Sequence, residues 1–304
     1  MIRNAYTYGF SCVFMLMLTG FLACKQSNSD GQSVVNEDSS KIAGSTMRMP
    51  LLQYWDTFNF GDSLALNNPD IAEQKLVDFI AALAEAPEDL KFQATNRMLS
   101  QAKPHPFALN YLSNTLEHYL YDPNSPMRSD ALYEPVLAFL LDSTNLDEAS
   151  RLRYGNRLNM TRKNKAGQSA TDFRFELPSG ALSSLYDGQS PRTLLFFYEP
   201  DCTHCQQAIA DLKASKNFRQ QIARKQLNIV AIYAGGNVAL WKSYQQQIPA
   251  TWINGFDRQG IIRKKQLYDL RASPTVYLLD ENKKVLLKDT ELAIVDQSLK
   301  HPTS

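Results

Sequence analysis

Thr193-Leu194-Leu195-Phe196-Phe197-Tyr198, then Glu199-Pro200-Asp201, then Cys202-Thr203-His204-Cys205, is the stretch on which the reading of this chain turns. An apolar run of this length ending in a turn reads as a strand buried on both faces. Gln206 to Gln226 reads as a helix, so the two cysteines stand at a strand-to-helix turn. Thiols in a C-x-x-C at such a turn interconvert with a disulfide, which is a chemistry as well as a fold.

Working outward, Leu227-Asn228-Ile229-Val230-Ala231-Ile232-Tyr233 is a second short apolar strand. It ends at Gly235-Gly236 and leads into a helix through Trp241 and Tyr244 that stops before Pro249. Thr275-Val276-Tyr277-Leu278-Leu279, a turn at Asp280 to Lys283 and Val285-Leu286-Leu287 form a hairpin, and a last helix covers Glu291 to Leu299. On the other side, Phe173, Phe175 and Leu177 alternate as in an edge strand, with Gly180 in the following turn. The order is parallel first and antiparallel last.

From about Met47 to Met160 the apolar period changes to that of helices. Ile71, Leu76, Phe79, Ile80 and Leu83 mark one helix, and Phe92 to Leu99 a second. Leu109, Leu112, Leu116 and Tyr119 mark a third, and Leu137, Phe139, Leu140 and Leu141 a fourth. Pro87, Pro104, Pro106, Pro123 and Pro126 punctuate this all-α region. The aromatic cluster Tyr54, Trp55, Phe58 and Phe60 reads as core, and His105 and His118 have no partner at ligand spacing. Thr161 to Gln168 is polar and marks the boundary, giving a helical domain over 47–162 and an α/β domain over 167–304.

At 304 residues and 44% hydrophobic content the chain is long and apolar enough for two packed domains. The net charge of +1 supplies no basic field, which excludes a general nucleic-acid binder and leaves proteins or small molecules as partners. The four cysteines separate into Cys12 and Cys24 near the start and the distant 202/205 pair, so they build no disulfide scaffold. Arg3, the apolar stretch from Tyr8 to Ala23 and the small residues that close it read as a signal peptide over 1–23. The apolar part is shorter than the ~20 residues of a spanning helix.

Phe21-Leu22-Ala23-Cys24 resembles a bacterial lipoprotein processing site, which implies diacylglycerol on the Cys24 thiol and cleavage before it. Residues 24–46, polar and rich in small side chains, then form a flexible tether. A tether of about 20 residues spans roughly 25 Å. The resemblance places the protein in a bacterial cell envelope, extracytoplasmic, on the periplasmic or outer-membrane face. Its only remaining thiols are then Cys202 and Cys205.

The strand order, the C-x-x-C and the Ser273-Pro274-Thr275 step before the hairpin together resemble the thioredoxin fold. More narrowly, Gly167, Asp172-Phe173, the run Leu195 to Cys202, Pro274-Thr275 and Leu278-Leu279-Asp280 resemble the tethered extracytoplasmic thioredoxins of the TlpA-like group. The resemblance implies that Pro274 follows a cis bond beside the redox pair. It implies a thiol-disulfide oxidoreductase that reduces partner-protein disulfides with electrons from an upstream donor. Two positions depart from the pattern. Asp201 stands where many thioredoxins have Trp, and Phe196 where cytosolic ones carry a buried acid, with Glu199 the nearest substitute.

The residues then take roles. Cys202, at the N-terminal end of its helix, is the nucleophile, because free backbone N–H groups and the helix dipole favour a thiolate. Cys205, one turn on and more enclosed, resolves the mixed disulfide. Ser273 and Pro274 border the groove in which a partner strand docks. Protonated His204 favours the thiolate, whereas Glu199 and Asp201 oppose it, so the direction of electron flow does not follow from the residues. One histidine between two cysteines cannot complete a tetrahedral zinc site, and no cofactor or metal is called for. Pro200 is too close to Cys202 for the peroxidase pattern. The competing class is an adaptor lipoprotein whose helical domain recognises a partner while the cysteines form a structural disulfide; the intact C-x-x-C favours the enzyme.

Overall fold

A computed structural model describes residues 48–300. Cys12, Cys24 and the segments read as a signal peptide and a tether lie outside the described residues. Among these residues no helix is long and apolar enough to cross a membrane.

The chain opens with five principal helices: α1 Gln74–Ala84, α2 Glu88–Ala102, α3 Pro106–Tyr121, α4 Asp130–Ser143 and α5 Glu148–Arg162. Asn68 caps a π turn, Pro69–Glu73, that runs into α1. Leu76, Phe79, Ile80 and Leu83, at i, i+3, i+4 and i+7, are its buried stripe. Ile71 falls before that stripe and is 46% exposed, so it does not belong to the face predicted for it. Pro87 and Pro106 open α2 and α3, where a missing N–H costs nothing. Trp55 and Phe60 are buried in the same core, with Tyr54 and Phe58 packed against it, as the sequence predicts.

Helix α4 packs against α2, α3 and α5. Helix α5 has no apolar stripe by which its sequence could announce it, being polar almost all round: only Tyr154, Met160 and Thr161 are buried. Asp147 caps it, accepting from Ser150 N at 2.8 Å.

The second half is a seven-stranded sheet in the order β2-β1-β5-β4-β3-β6-β7. The strands are β1 Arg174–Glu176, β2 Leu182–Ser184, β3 Arg192–Tyr198, β4 Leu227–Tyr233, β5 Ile253–Phe256, β6 Thr275–Asp280 and β7 Val285–Lys288. β3 pairs parallel with β4 and antiparallel with β6, which places it inside the sheet with both edges bonded. Its side chains alternate between two cores. Leu194, Phe196 and Tyr198 pack with α6 Thr203–Ala214, α7 Lys216–Ala223, α8 Val238–Tyr244 and α9 Leu292–Lys300. Leu195 and Phe197 pack with Phe173, Phe175, Tyr268 and Tyr277 on the opposite face.

Three expectations need correction here. β1 is not an edge strand: it lies between β2 and β5. The long helix predicted over 206–226 is broken at Ser215, whose extended backbone (ψ 124°) ends α6 and whose side chain caps α7. β5 was not predicted, because Asn254 and Gly255 interrupt its apolar pattern. Glycine is needed there: a Cβ would lie 2.5 Å from both Ile232 and Phe175 side chains.

Candidate functional site

The site begins where β3 ends. After Tyr198 the chain turns through Glu199, Pro200 and Asp201, and Cys202 N donates to Glu199 O at 3.2 Å. Cys202 is the N-cap of α6, with extended backbone (φ −87°, ψ 118°). Its Sγ accepts from Cys205 N at 3.3 Å, as a capping oxygen would, so one of the helix's free N–H groups is spent on this sulfur. Gln206 Nε2 closes the turn by donating to Pro200 O at 3.0 Å.

Cys202 is half-buried and Cys205 fully buried, and both are free thiols. Glu199 N lies 3.5 Å from Cys205 Sγ. Burial pushes the Cys205 thiol up, and neighbouring Cys202 and the Glu199 charge act the same way, against the pull of that backbone N–H. Cys205 is thus held as a neutral thiol behind a partly exposed one.

Opposite Cys202 stands the loop before β6. The Ser273–Pro274 peptide is cis, as the resemblance implied, and Cys202 Sγ donates to Ser273 O at 3.4 Å. The fold therefore brings Cys202, Cys205, Ser273 and Pro274 together. Glu199 forms an ion pair with Arg263 Nη2 at 2.7 Å, so its charge is partly neutralised. His204 and Asp201 are exposed, and their side chains make no hydrogen bond with any of the described residues.

Several contributors escaped the sequence reading. Beneath the dithiol helix, Asn254 Oδ1 accepts from Tyr198 Oη at 2.9 Å and from Trp241 Nε1 at 3.1 Å, all three buried. The Tyr244 ring lies 5.9 Å from that of Tyr198, tilted by 34°. Burial, then the charges of Cys205 and Cys202, push its phenol up. A polar residue inside an apolar strand pattern was the available signal for Asn254. No local signal marks Arg263, which is 64 residues from Glu199.

A further cluster lies where the helical half meets this loop. Asp130, the first residue of α4, binds Arg271 Nη2 at 2.8 Å and Lys288 Nζ at 2.8 Å. Burial alone would raise the Asp130 carboxyl; Lys288 and Arg271 outweigh it and hold the carboxyl below its ordinary value. Lys288 Nζ also donates to the carbonyls of Met160, Thr161 and Lys163 at 3.0, 3.0 and 2.8 Å. Arg128 reaches Asp289 Oδ1 at 3.1 Å. The polar stretch read as a boundary is therefore tied down on both sides, with Asn164 Nδ2 donating to Leu267 O at 2.8 Å.

Residues 192–285 match the family described as Thioredoxin-like, and residues 51–164 match a domain of unknown function, DUF5106. The crystal structure of a thioredoxin-like protein from Bacteroides caccae is 33% identical, with a TM-score of 0.81 over 91% of this chain and 98% of that one. The C-terminal domain of an uncharacterized protein from Bacteroides fragilis is 41% identical over 45% of this chain and 99% of that one, with a TM-score of 0.45. Thioredoxin-like protein YneN of Bacillus subtilis is 28% identical over 116 residues, 38% of this chain. The chain spans 65% of the length of that curated relative.

Proposed function

Because this chain belongs to the thioredoxin-like family, we propose that it is a thiol-disulfide oxidoreductase working through Cys202 and Cys205 on the disulfides of partner proteins. The observation that carries the reading is the asymmetry of the pair: Cys202 half-exposed at the N-cap of α6, 3.4 Å from Ser273 O, with Cys205 fully buried behind it.

In the reducing direction the Cys202 thiolate attacks one sulfur of the partner disulfide. The S–S bond breaks, a mixed disulfide forms and the partner's other sulfur leaves as a thiolate. Cys205 then loses its proton, and its sulfur attacks Cys202 Sγ. The mixed disulfide breaks, the second partner thiolate leaves, and Cys202 and Cys205 are joined; two electrons have passed to the partner. An upstream dithiol donor restores the pair. Ser273 and the Pro274 step supply the backbone edge against which an extended partner segment docks. The burial that raises the Cys205 thiol keeps it protonated until the first step is complete.

The anchoring part of the reading rests on sequence: the apolar start and Phe21-Leu22-Ala23-Cys24 support a lipid on Cys24 and an extracytoplasmic place in a bacterial envelope.

The test is dithiothreitol-driven reduction of insulin. The protein accelerates it, Cys202→Ser abolishes the acceleration, and Cys205→Ser expressed in the native host accumulates mixed disulfides through Cys202. Equal insulin reduction with and without the protein would end the enzymatic reading in favour of a structural disulfide.

A further inference from the structure

Residues 268–274, which form the wall of the site opposite α6, have a peculiarity of support. Among the described residues they enter no backbone-to-backbone hydrogen bond of a turn or loop. The pairing with β3 begins only at Thr275, opposite Phe197. A segment without a backbone ladder keeps one conformation only if side chains hold it. Within the α/β half, Tyr268 Oη donates to Thr171 O at 2.6 Å, Arg271 N to Asp269 Oδ1 at 3.2 Å and Thr275 Oγ1 to Ala272 O at 2.7 Å.

The remaining anchor reaches out of that half. Arg271, with its side chain 11% exposed, donates from Nη2 to Asp130 Oδ1 at 2.8 Å, and Nη1 lies 3.1 Å from Asp269 Oδ2. Its guanidinium sits 4.2 Å from the centre of the Tyr121 ring. Tyr121 ends α3 and Asp130 begins α4, so both contacts belong to the helical region. Pairing and stacking together fix the plane of a guanidinium, which an ammonium cannot reproduce. Arg271 is two residues before Ser273, whose carbonyl touches Cys202 Sγ.

We infer that Arg271 is a positioning residue through which the helical region holds residues 268–274 against Cys202, and that this region thereby sets how a partner disulfide docks beside the dithiol. The docking consequence rests on the redox reading above; the anchoring does not.

The experiment compares the full chain with Arg271→Lys, Asp130→Asn and Tyr121→Leu. Amide hydrogen exchange at Arg271, whose N donates to Asp269 Oδ1 at 3.2 Å, should quicken at least tenfold while the amides of β3 and β4 keep their protection. The kcat/KM for insulin should fall at least fivefold, carried by KM, while the rate with a small aryl disulfide stays within twofold. Unchanged loop exchange in a variant whose β3 and β4 amides remain protected overturns the inference, as does an equal loss with both disulfides. Should the variants at the buried charges fail to fold, Tyr121→Leu decides, since it removes the stack and strands no charge. If the unaltered protein turns over neither disulfide, the redox reading fails and the exchange measurement still decides the anchoring.

Discussion

On the helix side of the dithiol, residues 199–206 hold one another: Cys202 N bonds Glu199 O, Cys205 N bonds Cys202 Sγ and Gln206 bonds back to Pro200 O. On the loop side, residues 268–274 make no backbone-to-backbone bond among themselves; Asp269 meets Arg271, and Arg271 is fixed in turn by Asp130, 141 residues earlier. The first wall is local chemistry. The second is assembled from distant parts of the chain, including a region that contributes no thiol. The lesson is that the reactive groups and the geometry around them are supplied by different stretches of sequence and fail in different ways.

The loop-side wall breaks most severely at Lys288. Its ammonium serves Asp130 and three carbonyl oxygens at once. In Lys288→Met all four acceptors lose it, and two cations, Arg271 and Arg128, are left facing Asp130, Asp269 and Asp289. Removing one partner of a buried ion pair costs about 3–5 kcal/mol, since the other charge stays buried. Urea unfolding followed by circular dichroism measures it; a loss below about 1 kcal/mol would mean that water replaces the ammonium and that the wall is not held as described.

The same contrast governs what could be read in advance. β3, β4 and β6 are runs whose burial on two faces leaves an apolar signature, β7 follows β6 across a polar turn, and the C-x-x-C and Pro274 lie at strand ends; all were legible. Four helices of the first half were legible from their stripes. α5 was not, because a helix that buries three side chains in fifteen residues has no stripe to find. β5 was hidden by Asn254 and Gly255, residues placed there for the hydrogen bonds under the dithiol helix and for close packing on Phe175. Arg271, Asp130 and Tyr121 each look like ordinary surface or helix residues in one dimension. Their meaning comes from a long-range contact, and no local pattern encodes that.

The helix-side wall should be weaker to a single change than its local bonding suggests, because it stands on Asn254. Asn254→Leu fills the volume but leaves Tyr198 Oη and Trp241 Nε1 buried without an acceptor. Each stranded donor costs roughly 1–3 kcal/mol, so a total of about 2–6 kcal/mol is expected. Denaturant midpoints measure this, and the partner variant Tyr198→Phe, which removes one donor, should recover part of the loss when combined with it. Additive costs in the double variant would show that the two residues do not share the proposed bond.

The smallest effect belongs to Glu199, the residue nearest the role of the missing strand acid. Its pair with Arg263 is partly exposed on both sides, so Glu199→Gln should change stability at neutral pH by no more than about 1 kcal/mol. The visible change lies at alkaline pH. Burial first, and Glu199 among the lesser causes, raise the Cys205 thiol. The unfolded chain therefore ionises this thiol first, near pH ~8.5, and the folded state loses stability as pH climbs beyond that value. Removing the Glu199 charge lowers the folded thiol's ionisation toward the unfolded value, so the alkaline loss becomes shallower. By the same sign, the rise with pH of mixed-disulfide resolution by Cys205 shifts to lower pH. Stopped-flow resolution of a Cys202 adduct between pH 7 and about 10 reads this directly. A profile that moves to higher pH, or not at all, would show that the Arg263 pair already cancels the Glu199 charge at the buried sulfur.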